Sequence, residues 1–176
     1  MLFSSVRGVA VNRAVPVTEI QVGIAELKVG GQPERLITLG LGSCVGVTLY
    51  DPVTRVGGLL HIMLPDSTQF SNVTKPAKFA DLGIPLLVLE IRRNGGRISN
   101  LQAKMVGGAQ MFSGMNDNFV LNIGKRNVIM ARQTLKSLGI KILAEEVGGN
   151  RGRTMILDTF SGKVFIRTVG SQLKVI

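Results

Sequence analysis

GLGSCVGVTLYDPVTRVGGLLHI, residues 40–62, is the stretch on which the fold turns. Val45, Val47 and Leu49 alternate with Gly46, Thr48 and Tyr50, the two-residue period of a β-strand. Asp51-Pro52 suits the first two positions of a type I turn. Val56 to Leu64 then reads as the returning strand, so the segment is a hairpin. A loop of Asp51 to Thr54 sets Tyr50 opposite Arg55, Val45 opposite Leu60 and Cys44 opposite His61. Directly opposed residues have β-carbons about 4.5–5.5 Å apart and project to the same side. The spacing therefore predicts a thiol beside an imidazole.

Working outward, apolar residues alternate from Glu19 at Ile20, Val22 and Ile24, then continue at Ala25, Leu27 and Val29. That is the pattern of one strand whose phase slips at a bulge. A loop with Gly30, Gly31 and Pro33 leads to a strand over Leu36 to Leu39. Beyond the hairpin, Phe79, Leu82, Leu86 and Leu89 keep helical spacing, with Pro85 implying a kink or restart. Val128, Ala131, Leu135 and Leu138 form a second helical stripe, closed by Gly139. Leu101 to Val106 reads as a strand between them, and Ile140–Val147, Thr154–Asp158 and Val164–Val169 as three more. Helices among mostly hairpin-linked strands imply an α+β fold, a layered sandwich. Residues 19–176 are expected to form a single domain, and the first 18, which show no period, a flexible arm.

The longest aliphatic run, Ile84 to Leu89, already contains Pro85 and is far short of the roughly 20 residues that span a bilayer. No stable membrane insertion is expected, nor a secretory signal, since residues 1–18 hold Arg7 and Arg13 and no continuous apolar core. One cysteine and one histidine exclude an internal disulfide and an intramolecular cysteine cage for zinc. The net charge of +10 sits wholly in residues 91–176, with fourteen Lys/Arg against four Asp/Glu. The chain lacks Trp, the usual stacking platforms and any long basic run, so the expected partner is an acidic protein surface and not nucleic acid.

Any thiol chemistry must pass through Cys44 and His61. An imidazolium beside a thiol lowers its pKa and stores a thiolate, which can attack a carbonyl. Thr38 can fold back across the Gly40–Gly42 turn and orient the ring through its hydroxyl. Backbone N–H groups from Gly42 and Ser43 to Cys44 could hold an oxyanion. The plainer readings are a buried small hydrophobe for Cys44 and a structural histidine for His61. Gly40-x-Gly42-x-x-x-Gly46 misses the dinucleotide-loop spacing and is followed by a strand. Ser43 is no nucleophile elbow, because Leu41 stands where the first glycine is needed.

Thr38-Leu39-Gly40-Leu41-Gly42-Ser43-Cys44-Val45 through His61-Ile62-Met63-Leu64-Pro65 resembles the chemoreceptor glutamine deamidases of the CheD family. Lys104-Met105 with Gly107-Gly108-Ala109, Ile123-Gly124 with Arg126-Asn127, and Gly148-Gly149 with Gly152-Arg153 extend the match over residues 19–170. The resemblance implies an α/β/β sandwich similar to the cysteine deamidase toxin fold. It implies cytoplasmic hydrolysis of glutamine side chains on methyl-accepting chemoreceptors by Cys44, His61 and Thr38, without metal or cofactor. A CheC-type phosphatase is implied as second partner. Two other classes remain open: a non-catalytic adaptor for receptor or phosphatase, and a basic nucleic-acid binder with salt-dependent retention.

Overall fold

The computed structural model describes residues 16–110 and 122–176, so most of the expected N-terminal arm lies outside the described residues. In chain order come β1 (Glu19–Gln21), β2 (Leu27–Gly31), β3 (Arg35–Leu41), β4 (Val45–Asp51), β5 (Val56–Ile62), α1 (Ala80–Arg93), β6 (Gln102–Gly107), α2 (Ile123–Ser137), β7 (Lys141–Val147), β8 (Arg153–Asp158), β9 (Val164–Thr168) and β10 (Lys174–Val175). They form two five-stranded sheets, ordered β1-β3-β8-β9-β10 and β2-β5-β4-β6-β7. β6 and β7 are parallel and joined through α2, the crossover that parallel neighbours need.

Two apolar layers fix the stacking. Val45, Val47 and Leu49 of β4 and Leu60 and Ile62 of β5 pack with Ile84, Leu87, Ile91, Val128 and Leu135 of the helices. On the opposite face of the same sheet, Leu59 and Val106 join Leu36, Leu41, Met155 and Leu157 of the other. The order is helices, sheet, sheet, which is the α/β/β sandwich expected from the sequence. Both faces of β4 are covered, and all seven of its residues are buried.

Three sequence readings change. The phase slip near Ala25 is not a bulge: β1 and β2 lie in different sheets, and the chain crosses between them through a turn with Ala25 at φ 59°. In α1 the leucine stripe faces outward, Leu82 and Leu89 being well exposed, while Ile84, Leu87, Val88 and Ile91 are buried. This helix is apolar nearly all round, so periodicity alone does not choose its buried face. Gly58 does: a β-carbon there would lie 2.5 Å from Leu87 Cδ1, so the bare backbone of β5 admits this face of the helix. Pro85 sits on the exposed side and the helix runs through it.

The third change is the hairpin register. Asp51 pairs with Val56, Gly46 with His61 and Val45 with Ile62. The loop is Pro52 to Arg55, with Arg55 at φ 56°, so the ladder is offset by two residues from the expected pairing. A two-residue offset preserves which face each side chain takes. Cys44 and His61 therefore keep a common face but stand diagonally, a relation in which α-carbons lie roughly 7–8 Å apart in a regular ladder.

The loop is set by Asp51, whose buried carboxylate accepts from Val53 N (2.9 Å), Arg97 N (2.8 Å) and Asn100 Nδ2 (3.2 Å). Burial alone would push this carboxyl up, but donors led by the Arg97 and Val53 amides hold it below its usual range. Replacing Asp51 by alanine strands those donors and is expected to destabilise the fold by about 2–4 kcal/mol, read by urea unfolding at pH 7. Because the folded carboxyl is depressed, its contribution is complete above the ordinary carboxylate pKa and fades as pH falls through the folded value. The difference between wild type and Asp51→Ala should therefore shrink on acidification. No helix among the described residues is long and apolar enough to cross a membrane.

Candidate active site

The site forms where the two sheets face each other. His61 lies on the inward face of β5 and Thr38 on the inward face of β3, and both are fully buried. Thr38 Oγ1 donates to the Val22 carbonyl at 2.8 Å and lies 2.7 Å from His61 Nδ1. The hydroxyl has one proton, and Val22 takes it. Nδ1 must therefore be the donor to Oγ1, which in a neutral ring leaves Nε2 as the bare lone pair. Nε2 is buried with no hydrogen-bonding partner among the described residues. The backbone of His61 is clamped as well, its N–H donating to Glu26 O (2.9 Å) and its carbonyl accepting from Ala25 N (3.1 Å).

Cys44 sits one residue ahead of β4, half-buried against the inter-sheet core. Its carbonyl accepts from Gly108 N at 2.8 Å, and the Gly42 carbonyl accepts from Ala109 N at 2.7 Å. Only glycine fits at 107, where φ is 111° and a β-carbon would fall 2.4 Å from Cys44 O. The loop of Cys44 is thus lashed to the end of β6. The Gly42 N–H donates to Gly40 O at 2.9 Å, so it is committed within the turn and is not an oxyanion donor. Among the described residues the Ser43 and Cys44 N–H groups have no backbone partner.

Burial pushes the Cys44 thiol up from its ordinary value, partly offset by its own backbone N–H against the sulfur. Burial also pushes the His61 imidazole down. Both shifts oppose the charged forms, so burial works against the stored thiolate–imidazolium pair expected from the sequence. An ion pair would give an alkylation rate with a plateau between the two pKa values. Here the rate of iodoacetamide addition to Cys44 is expected to climb about tenfold per pH unit from pH 6 to beyond 8, with no acidic plateau. A rate that levels off below pH 7 would restore the ion pair.

One buried residue that spacing did not flag is Asn127 on α2. Its Nδ2 donates to Ser43 O at 3.0 Å and to Met63 O at 3.1 Å, bridging the cysteine loop and the chain just past His61. A signal was present: residue 127 falls four before Ala131, on the apolar stripe, where a polar side chain is out of place. The segment 66–77, which follows the His61 strand, is tied to α1 through Ser67, whose hydroxyl donates to Asp81 at 2.6 Å.

Residues 63–168 match the family described as CheD chemotactic sensory transduction. A protein of Desulforamulus reducens named probable chemoreceptor glutamine deamidase CheD is 72% identical over 158 residues, covering 90% of this chain and 95% of that protein. The chain belongs to the CheD family. A CheD of Clostridium botulinum, strain Hall, bears the same name and is 55% identical over 158 residues, 90% of this chain and 98% of its own. The family match begins after Thr38, Cys44 and His61, whereas an aligned stretch of 158 residues in a chain of 176 includes all three wherever it starts. Looser likenesses exist to solved structures. The Bacillus licheniformis hypothetical protein YfiH aligns over 70% of this chain and 51% of its own at 19% identity, TM-score 0.44. A Neisseria meningitidis protein of family DUF152 aligns over 77% and 64% at 11% identity, TM-score 0.48. Neither carries an argument about the CheD site.

Proposed function

We propose that this chain is a protein-glutamine deamidase that converts selected glutamine side chains of chemoreceptor cytoplasmic domains to glutamate. The observation that carries the reading is the Thr38–His61 hydrogen bond, which leaves the Nε2 lone pair as a ready base on the face shared with the only thiol. The names borne by its CheD relatives supply the substrate.

As the amide carbon of glutamine reaches Cys44, His61 Nε2 removes the thiol proton and the sulfur forms a bond to Cδ. The carbonyl electrons move onto oxygen, held by the N–H groups of Ser43 and Cys44. The imidazolium, braced by Thr38 through Nδ1, returns its proton to the amide nitrogen, and the C–N bond breaks to release ammonia. A thioester remains. His61 then takes a proton from water, hydroxide adds to the thioester carbon, and the C–S bond breaks, giving glutamate and the thiol again. Because Thr38 is neutral it fixes the tautomer but stabilises the imidazolium less than a carboxylate would.

A receptor cytoplasmic domain as substrate implies a reaction in the cytoplasm, and an acidic surface on it would suit the +10 charge of residues 91–176. A CheC-type phosphatase belongs to the same reading as second partner. The test is mass spectrometry of a receptor cytoplasmic fragment incubated with the protein. A gain of about one dalton at particular glutamines, from –NH₂ replaced by –OH, supports the enzyme. Binding without any gain would replace it with the adaptor.

A further inference from the structure

The side-chain amide of Asn127 faces two carbonyl oxygens, so its NH₂ group, with two protons, must point at Ser43 and Met63. Its Oδ1 points away, buried and without a partner among the described residues. A buried acceptor left unsatisfied is a stability loss, and one that calls for an explanation outside stability. The explanation lies in the geometry of one peptide group. The Ser43–Cys44 bond is trans, and in a planar trans peptide the carbonyl and the N–H point in opposite directions. Holding the Ser43 oxygen toward α2 turns the Cys44 N–H the other way, to the side of its own thiol. That N–H has no backbone acceptor among the described residues, and without the pin the peptide could flip and carry it away.

We infer that Asn127 is a positioning residue that locks the Ser43–Cys44 peptide plane, so that the Cys44 N–H is aimed at the oxyanion formed when Cys44 attacks. The second bond, to Met63 O, ties the same amide to the strand end that carries His61, fixing donor and base in one frame. This inference rests on the deamidase reading only for the identity of the substrate.

The experiment compares wild type with Asn127→Leu, which is close in size but has no donor, in three assays. Turnover of the receptor fragment gives kcat and KM. A short peptide bearing an aldehyde in place of the glutamine amide adds the thiol to form a tetrahedral adduct, and its affinity reports the oxyanion site without turnover. Iodoacetamide alkylation, a displacement at saturated carbon, reports the thiol alone. Expected for Asn127→Leu are a kcat about 30–300-fold lower, a KM within about threefold, aldehyde affinity weakened in step with kcat, and alkylation within about threefold. Asn127→Ser, which keeps one donor on a smaller side chain, should fall between the two and serves if the leucine variant does not fold.

Unchanged aldehyde affinity in both variants overturns the inference. So does an alkylation rate that falls together with kcat, which would make Asn127 a support for the thiol and not for the donor. Absence of aldehyde binding to the wild type overturns it too. A wild type that binds aldehyde but converts no receptor glutamine removes the proposed substrate, and the inference then stands or falls on the aldehyde comparison.

Discussion

Cys44→Ala is expected to abolish glutamine conversion, with kcat/KM falling by on the order of 10⁵-fold, because no other side chain can form the covalent intermediate. The chain has a single cysteine, so there is no substitute nucleophile on any face. Removing the half-buried Sγ at the edge of the inter-sheet core should leave folding intact within about 1 kcal/mol, and the loop stays lashed through the Cys44 and Gly42 carbonyls. Receptor binding should also persist, which separates lost chemistry from lost docking. The check is the one-dalton gain on the receptor fragment, quantified against time for both proteins. Conversion by the alanine variant above about one part in 10³ of the wild-type rate would remove Cys44 from the reaction.

His61→Gln comes next, with an expected loss of about 10⁴-fold or more, since burial disfavours the thiolate and the thiol depends on Nε2 to take its proton. A glutamine side chain there offers no base at all. Thr38→Val should cost less, about 10²-fold, because the ring remains but its tautomer is no longer fixed. In the wild type Nδ1–H is held by Thr38 Oγ1, which is itself held by Val22 O. With valine, the proton on Nδ1 has no acceptor, and the ring is free to carry it on Nε2, where it blocks the base. The two variants together are a signature: both are slow, and His61→Gln is the slower of the pair. Equal rates for Thr38→Val and wild type in single-turnover assays would show that the hydroxyl has no part in the chemistry.

The sequence carried the hairpin and the face shared by Cys44 and His61, because alternation of period two is insensitive to an offset of two. It did not carry the register itself, since whether Asp51 closes the ladder or opens the loop depends on its bonds to Arg97 and Asn100, nearly fifty residues away. Thr38 was legible as a neighbour in sequence, but its contact with the ring crosses from one sheet to the other. The charge balance of the pair lies beyond the sequence for a different reason. The identity of two titrating groups says which pair can form, while burial decides whether charge survives there. The exposed leucine face of α1 shows the same limit, for the selection is made by the missing side chain of Gly58 on another element.

The base and its orienting hydroxyl come from opposite layers, which bears on the order in which the site is completed as the chain folds. β4 and β5 are adjacent in the chain and can pair as soon as both have emerged. β3, which carries Thr38, takes β8 as a ladder partner, with Leu36 opposite Leu157 and Thr38 opposite Met155. Those β8 residues follow Thr38 by more than a hundred positions, and a contact of such separation in sequence forms late. Fixing the tautomer of His61 is in this way coupled to closing one sheet over the other, a long-range step and not a property of the hairpin alone.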